Sequence, residues 1–100
     1  MKTVVVTYKT KPERADENAE LVESVFAELN QKDPGGIRYA TFRLADGVSF
    51  VHVAETEDGA DPLAQTDAFS EFQREISERV AEGPNPQDAT LVGSYRVFEE

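Results

Sequence analysis

The sequence predicts an α+β domain of ferredoxin-like type: a four-stranded antiparallel sheet with two helices on one face. Three observations predict it. Hydrophobic patterns run strand, helix, strand, turn, strand, helix, strand along 100 residues, with no segment left over. The two inner strands meet at Asp46-Gly47, the strongest short hairpin signal available. Right-handed crossovers then bring both helices of the βαββαβ order to one face. A chain of this length forms one domain, residues 1–100.

The elements follow in order. Thr3 to Lys9 reads as a central strand, because Val4-Val5-Val6 is β-branched and apolar on both faces. Thr10-Lys11-Pro12-Glu13 matches a capping box, with Thr10 as N-cap and Glu13 reaching back. A helix is expected from about Lys11 to Asn30, with Ala15, Ala19, Val22, Val25, Phe26 and Leu29 on its apolar stripe. Asp33-Pro34-Gly35-Gly36 ends it. Ile37 to Leu44 and Val48 to Glu55 alternate as strands. A loop follows, with turn chemistry at Asp58-Gly59 and Asp61-Pro62. Thr66 caps a second helix expected to reach Glu82, striped by Phe69, Phe72, Ile76 and Val80. Gly83-Pro84-Asn85-Pro86 breaks that helix, and Ala89 to Phe98 reads as the last strand.

Composition narrows the function. Twenty acidic residues against ten basic ones give a net charge of −10, which repels phosphate backbones and anionic membrane surfaces. Nucleic-acid and membrane partners are therefore not expected, and the charge reads as a solvated surface. No apolar run reaches membrane-spanning length, and Lys2 is followed by too short an apolar stretch for a signal peptide. A cytoplasmic protein is expected. With no cysteine and one histidine, a metal site is not expected, nor is a thiolate nucleophile. There is no glycine-rich phosphate loop, and no cofactor is expected.

Hairpin register sorts the inner strands into two faces. With a two-residue turn, Arg43 opposes Phe50, Thr41 opposes His52 and Tyr39 opposes Ala54. One face carries Ala40, Phe42, Leu44, Val51 and Val53 and is expected under the helices. The other carries Ile37, Tyr39, Thr41, Arg43, Phe50 and His52, a mixed aromatic lining suited to a ligand cavity. A second copy packed on this face is the simplest cover, which predicts a homodimer. On that face His52, Arg43 and Tyr39 are the candidate catalytic residues, with Phe50, Thr41 and Ile37 as substrate-binding residues. Each has a structural alternative. His52 serves as an acid/base group, or bonds a neighbouring Tyr or Thr, or sits at the dimer seam. Arg43 binds an anionic oxygen or pairs with an acid of the partner chain. Tyr39 bonds or stacks on a ligand, or packs at the seam. Tyr8 and Tyr95 are left unassigned to a face.

Several segments carry a resemblance: Lys11-Pro12-Glu13, Arg38-Tyr39-Ala40-Thr41-Phe42, Gly47-Val48-Ser49-Phe50-Val51-His52-Val53, Pro62-Leu63, Ala68-Phe69 with Phe72, and Gly93-Ser94-Tyr95-Arg96. Together they resemble the dimeric α/β-barrel superfamily, in its antibiotic-biosynthesis-monooxygenase-like branch. The resemblance implies a ferredoxin-like protomer that packs sheet on sheet, with a cavity between sheet and helices inside each protomer rather than at the seam. It also implies cofactor-free oxygenation of electron-rich aromatics such as anthrones and hydroquinones. The haem-degrading members use an Asn, a Trp and a His; this chain has no tryptophan, so that activity is set aside, and the tryptophans of the anthrone-oxidising members are missing too.

Three readings follow. The first is a cofactor-independent monooxygenase of a small aromatic or quinol-like substrate, with His52 as base and Arg43 and Tyr39 stabilising the anion. The second is a binding protein that holds a small aromatic without chemistry. The third is a dimer with no ligand, which requires that no pocket is large enough for a ring.

Overall fold

The computed structural model describes residues 2–57 and 62–96. Strand β1 spans Lys2–Thr10, helix α1 Ala15–Lys32, β2 Ile37–Arg43, β3 Ser49–Thr56, helices α2 and α3 Asp67–Gln73 and Ile76–Arg79, and β4 Val80–Ala89. Single 3₁₀ turns at Pro12–Arg14 and Leu63–Gln65 lead into α1 and α2. The four strands form one antiparallel sheet in the order β2-β3-β1-β4. This is the ferredoxin-like arrangement read from the sequence. No helix among the described residues is long and apolar enough to cross a membrane.

The hairpin register is the expected one, from Ile37↔Thr56 to Arg43↔Phe50. Asp46 locks the turn: its Oδ1 accepts from the Val48 and Ser49 amides at 2.9 and 2.8 Å. Thr66 caps α2, its hydroxyl accepting from the Phe69 amide at 3.3 Å. Helix α1 ends as expected near Asp33, where the amide still donates to the Leu29 carbonyl and the chain then turns away with a left-handed φ of 46°.

Three expectations are corrected. Thr10 does not cap α1. It is the buried last residue of β1, and its hydroxyl donates to the Val48 carbonyl at 3.2 Å, so the helix starts at Ala15 with no side-chain cap.

The second helix does not run to Glu82. It stops at Gln73, Glu75 turns the chain with φ 61°, and one short turn of helix ends at Arg79. The last strand therefore begins at Val80 and not at Ala89, and residues 90–96 lie outside regular structure. Pro84 and Pro86 are compatible with this strand because it is the sheet edge, where a missing N–H leaves no ladder partner unmet. Gly83 sits at a register shift against β1 with φ +86°, and an added Cβ would stand 3.0 Å from the Thr7 carbonyl, so only glycine fits. The expected end of this strand at Phe98, and the turn residues Asp58, Gly59 and Asp61, lie outside the described residues.

The third correction concerns the faces. The mixed face of the hairpin lies under the helices, and the apolar face does not. Phe50 and His52 are buried with Tyr8, Val22, Val25 and Phe72 in the core, and Tyr39 stacks on Phe26 of α1 with ring centroids 4.9 Å apart. On the opposite face Phe42 and Leu44 remain 40% and 46% exposed. The polar atoms of the mixed face are buried because they satisfy one another, as the site geometry shows.

Candidate functional site

Tyr8 and Phe50 are cross-strand partners, so the side chains of Val4, Val6, Tyr8, Phe50 and His52 share the helix-facing side of β1 and β3. From β2, Tyr39 joins them through its register with Ala54. Helices α2 and α3 close over this surface with Phe69, Phe72, Gln73 and Ile76, and β4 adds Pro84 and Pro86 at the side. Between the layers lies a cavity of about 550 Å³. That volume suits a small organic ligand and takes a fused aromatic ring system. The reading without a ligand required no such space.

The lining is apolar apart from Tyr8, Tyr39, His52 and Gln73, and among the described residues no charged side chain lines it. His52 is 6% exposed, with both ring nitrogens engaged. Its Nε2 lies 2.7 Å from Tyr8 Oη; its Nδ1 lies 2.5 Å from Tyr39 Oη and 3.1 Å from Thr41 Oγ1. Burial lowers the His52 pKa to about 4, so the ring is neutral at pH 7. Burial also pushes both phenols up; the Asn18 hydrogen bond partly offsets this at Tyr8, as the Thr41 hydroxyl does at Tyr39.

Behind Tyr8 the polar chain continues into the core. Asn18 of α1, 0% exposed, donates its Nδ2 to Tyr8 Oη at 2.8 Å. Arg79 at the end of α3 donates its Nε to Asn18 Oδ1 at 3.2 Å and its terminal nitrogens to the Phe72 and Arg74 carbonyls. Its guanidinium lies 5.3 Å over the Phe72 ring. The two carbonyls are those freed where α2 stops, so Arg79 also supplies the helix end with donors.

Of the six candidates named from sequence, the structure brings His52 and Tyr39 to the cavity. Thr41 touches His52 without lining the cavity. Phe50 packs beneath it, stacked on Tyr8 at 5.5 Å. Ile37 is half-buried at the start of β2 and does not line it. Arg43 does not reach it: its guanidinium donates to the Gly47 carbonyl and pairs with Asp16 at 3.0 Å near the hairpin tip. Tyr95 lies 81% exposed in the irregular segment.

Tyr8, Asn18 and Arg79 were missed as functional residues. One signal was available: Asn18 follows Ala15 by three residues and precedes Val22 by four, which places an amide on the apolar stripe of α1. Arg79 likewise sits three residues after Ile76. Among the described residues no group of three or more His, Asp or Glu is placed to hold a metal ion.

A four-stranded antiparallel sheet covered on one face by helices is the fold this chain shares with solved structures of antibiotic biosynthesis monooxygenases. The similar solved structures include an antibiotic biosynthesis monooxygenase, at TM-score 0.74 and 22% identity over 93% of this chain and 100% of the other. They include a conserved protein from Methanosarcina mazei Go1, at TM-score 0.71 and 21% identity over 88% and 89% of the two chains. A point variant of SnoaB, a cofactor-independent oxygenase from Streptomyces nogalater, aligns at TM-score 0.66 and 16% identity over 99% and 97%. No protein-family model matches the sequence, and no curated protein does.

Proposed function

We propose that this protein is a cofactor-independent monooxygenase that takes a small aromatic or quinol-like substrate into the cavity between sheet and helices. The observation that carries this reading is an apolar cavity whose titratable lining groups, Tyr8, His52 and Tyr39, are joined in one hydrogen-bonded row. The fold shared with a cofactor-independent oxygenase supports it.

In the proposed reaction the substrate is its own reductant, losing a proton before it gives electrons to O₂. Neutral His52 is the group that takes up that proton at pH 7, since both phenols hold theirs. The substrate proton passes to Tyr8 Oη as the Tyr8 proton moves to His52 Nε2, 2.7 Å away. Tyr39 donates to the oxyanion left behind. One oxygen atom of O₂ enters the substrate and the other leaves as water, with all electrons drawn from the substrate. Arg43, outside the cavity, has no part.

The test is oxygen uptake by metal-free protein against hydroquinones, anthrones and flavonoid-like phenols. Uptake above the protein-free rate, abolished in His52→Ala, is expected; unchanged uptake in that variant removes His52 from the mechanism. One observation favours a second reading, a binding protein without chemistry: both His52 nitrogens already have protein partners. Saturable binding of an aromatic with no oxygen uptake across the panel would favour it.

The same proposal includes a homodimer. The outer sheet face presents Val5, Ala40, Phe42, Leu44, Val51 and Val53. A second copy packed on that face would cover it. Wild-type protein is expected to sediment as a dimer and Val53→Arg as a monomer. A monomeric wild type at micromolar concentration would be evidence against sheet-on-sheet association.

A further inference from the structure

The row of buried polar groups has a direction. Arg79 is 1% exposed, and among the described residues it forms no ion pair with a carboxylate. A guanidinium only donates, so the Asn18 oxygen must face it and the Asn18 NH₂ must face Tyr8. Tyr8 Oη accepts that bond, and its own hydrogen has one protein acceptor within reach, His52 Nε2. A neutral imidazole carries a single N–H, which is then on Nδ1, facing Tyr39 Oη at 2.5 Å with Thr41 Oγ1 farther off at 3.1 Å. Tyr39 accepts this shorter bond and also accepts from the Thr41 hydroxyl, so its own hydrogen is left for the cavity that its ring lines.

We infer that Asn18 and Arg79 are positioning residues: acting through Tyr8, they hold His52 as the Nδ1–H tautomer and make the Tyr39 hydroxyl the donor that a ligand oxygen meets. The inference rests on the reading that the cavity binds an aromatic ligand, and it adds the polar feature which that ligand carries, an acceptor oxygen within reach of Tyr39. The cost of a buried cation with no carboxylate in contact has a purpose in this scheme, Glu17 and Glu75 acting on Arg79 only at longer range. A carboxylate in the place of Asn18 would neutralise Arg79, but it would also take the Tyr8 hydrogen and reverse every bond beyond it.

The experiment uses tag-free, ¹⁵N-labelled protein. His52 is the sole histidine, so two ring-nitrogen signals report its tautomer without assignment ambiguity. Wild type is expected to show a protonated Nδ1 and a bare Nε2. In Asn18→Asp the pattern is expected to invert, because Tyr8 turns its hydrogen to the new carboxylate and Nε2 must donate to Tyr8. A residue that only packs the core would not move this signature. Binding supplies the second readout, with 1-indanone and indane as probes of equal ring size. Wild type is expected to prefer the ketone by about tenfold, the worth of one hydrogen bond made in a dry site. Tyr39→Phe, which keeps the ring, is expected to abolish the preference and keeps the test decisive if Asn18→Asp fails to fold. A protonated Nε2 in wild type, an unchanged tautomer in folded Asn18→Asp, or equal affinities of wild type for the two probes would each overturn the inference. The tautomer is read without substrate or oxygen, so it stands or falls separately from oxygen uptake.

Discussion

Phe72→Ala is expected to destabilise the fold by about 3–5 kcal/mol, the range for truncating a buried aromatic. Phe72 is 5% exposed and lies where the site and the core meet. Its ring centroid is 5.5 Å from that of His52, 6.4 Å from Tyr8 and 6.1 Å from Phe69. It also covers the guanidinium of Arg79. Truncation joins the vacated space to an existing cavity, which limits collapse of the walls and places the cost toward the upper end. It also strips the aromatic face from a buried cation. A domain of this size holds only about 5–15 kcal/mol in total, so the variant should be partly unfolded at 37 °C. Urea unfolding at fixed protein concentration measures the effect, with a lowered midpoint and an unchanged slope. A loss below about 1 kcal/mol would mean that Phe72 is not packed as described.

Acidification is expected to remove about 3 kcal/mol of stability through His52 alone. The folded pKa is about 4 against an unfolded value of 6.5, so the fold favours the neutral ring. Between these values the unfolded chain binds more protons than the folded one. The contribution is therefore fully present above pH 6.5 and is lost as pH falls through 4. The cause is burial: the charged ring would be desolvated, and a protonated Nε2 would compete with the Tyr8 hydroxyl hydrogen for the space between them. His52→Gln, which keeps polar atoms but does not titrate, should lack the slope between pH 6.5 and 4. The difference between the two proteins isolates His52 from the relief of acidic self-repulsion at low pH. Asp46 acts in a separate window. Its carboxylate is held down to about 2 by the Ser49 hydroxyl and the Ser49 and Val48 amides, so its contribution is lost only below pH 4. A His52→Gln variant with the wild-type slope would place the titration elsewhere.

Much of this architecture is local and was legible. The three- and four-residue spacing of α1, the alternation of β2 and β3, the Asp46-Gly47 turn and the Thr66 cap each depend on neighbours within a few residues. Register through the turn also grouped Tyr39, Thr41 and His52 on one face, and that grouping holds in the site. The second helix and last strand were misread because Gly83 and two prolines read as a break. The pairing of β1 with Val80–Ala89 turns them into an edge strand with a bulge. Thr10 was misread because its sheet pairing with Val80 outcompetes a capping role that looks good only locally.

By itself the sequence determined the order of the elements, the hairpin register and the residue types on each face of the two hairpin strands, because these follow from backbone periodicity and turn chemistry. Only the tertiary structure decided which hairpin face the helices cover. Hydrophobicity alone favoured the purely apolar face. The helices instead cover the mixed one, where Tyr8 and Asn18, distant in sequence from His52, satisfy polar atoms that would otherwise be costly to bury. The hydrogen-bonded row from Arg79 to Tyr39 was likewise decided by the fold. Its Arg79–Asn18 link joins residues 61 positions apart, and no local pattern encodes a bond between them.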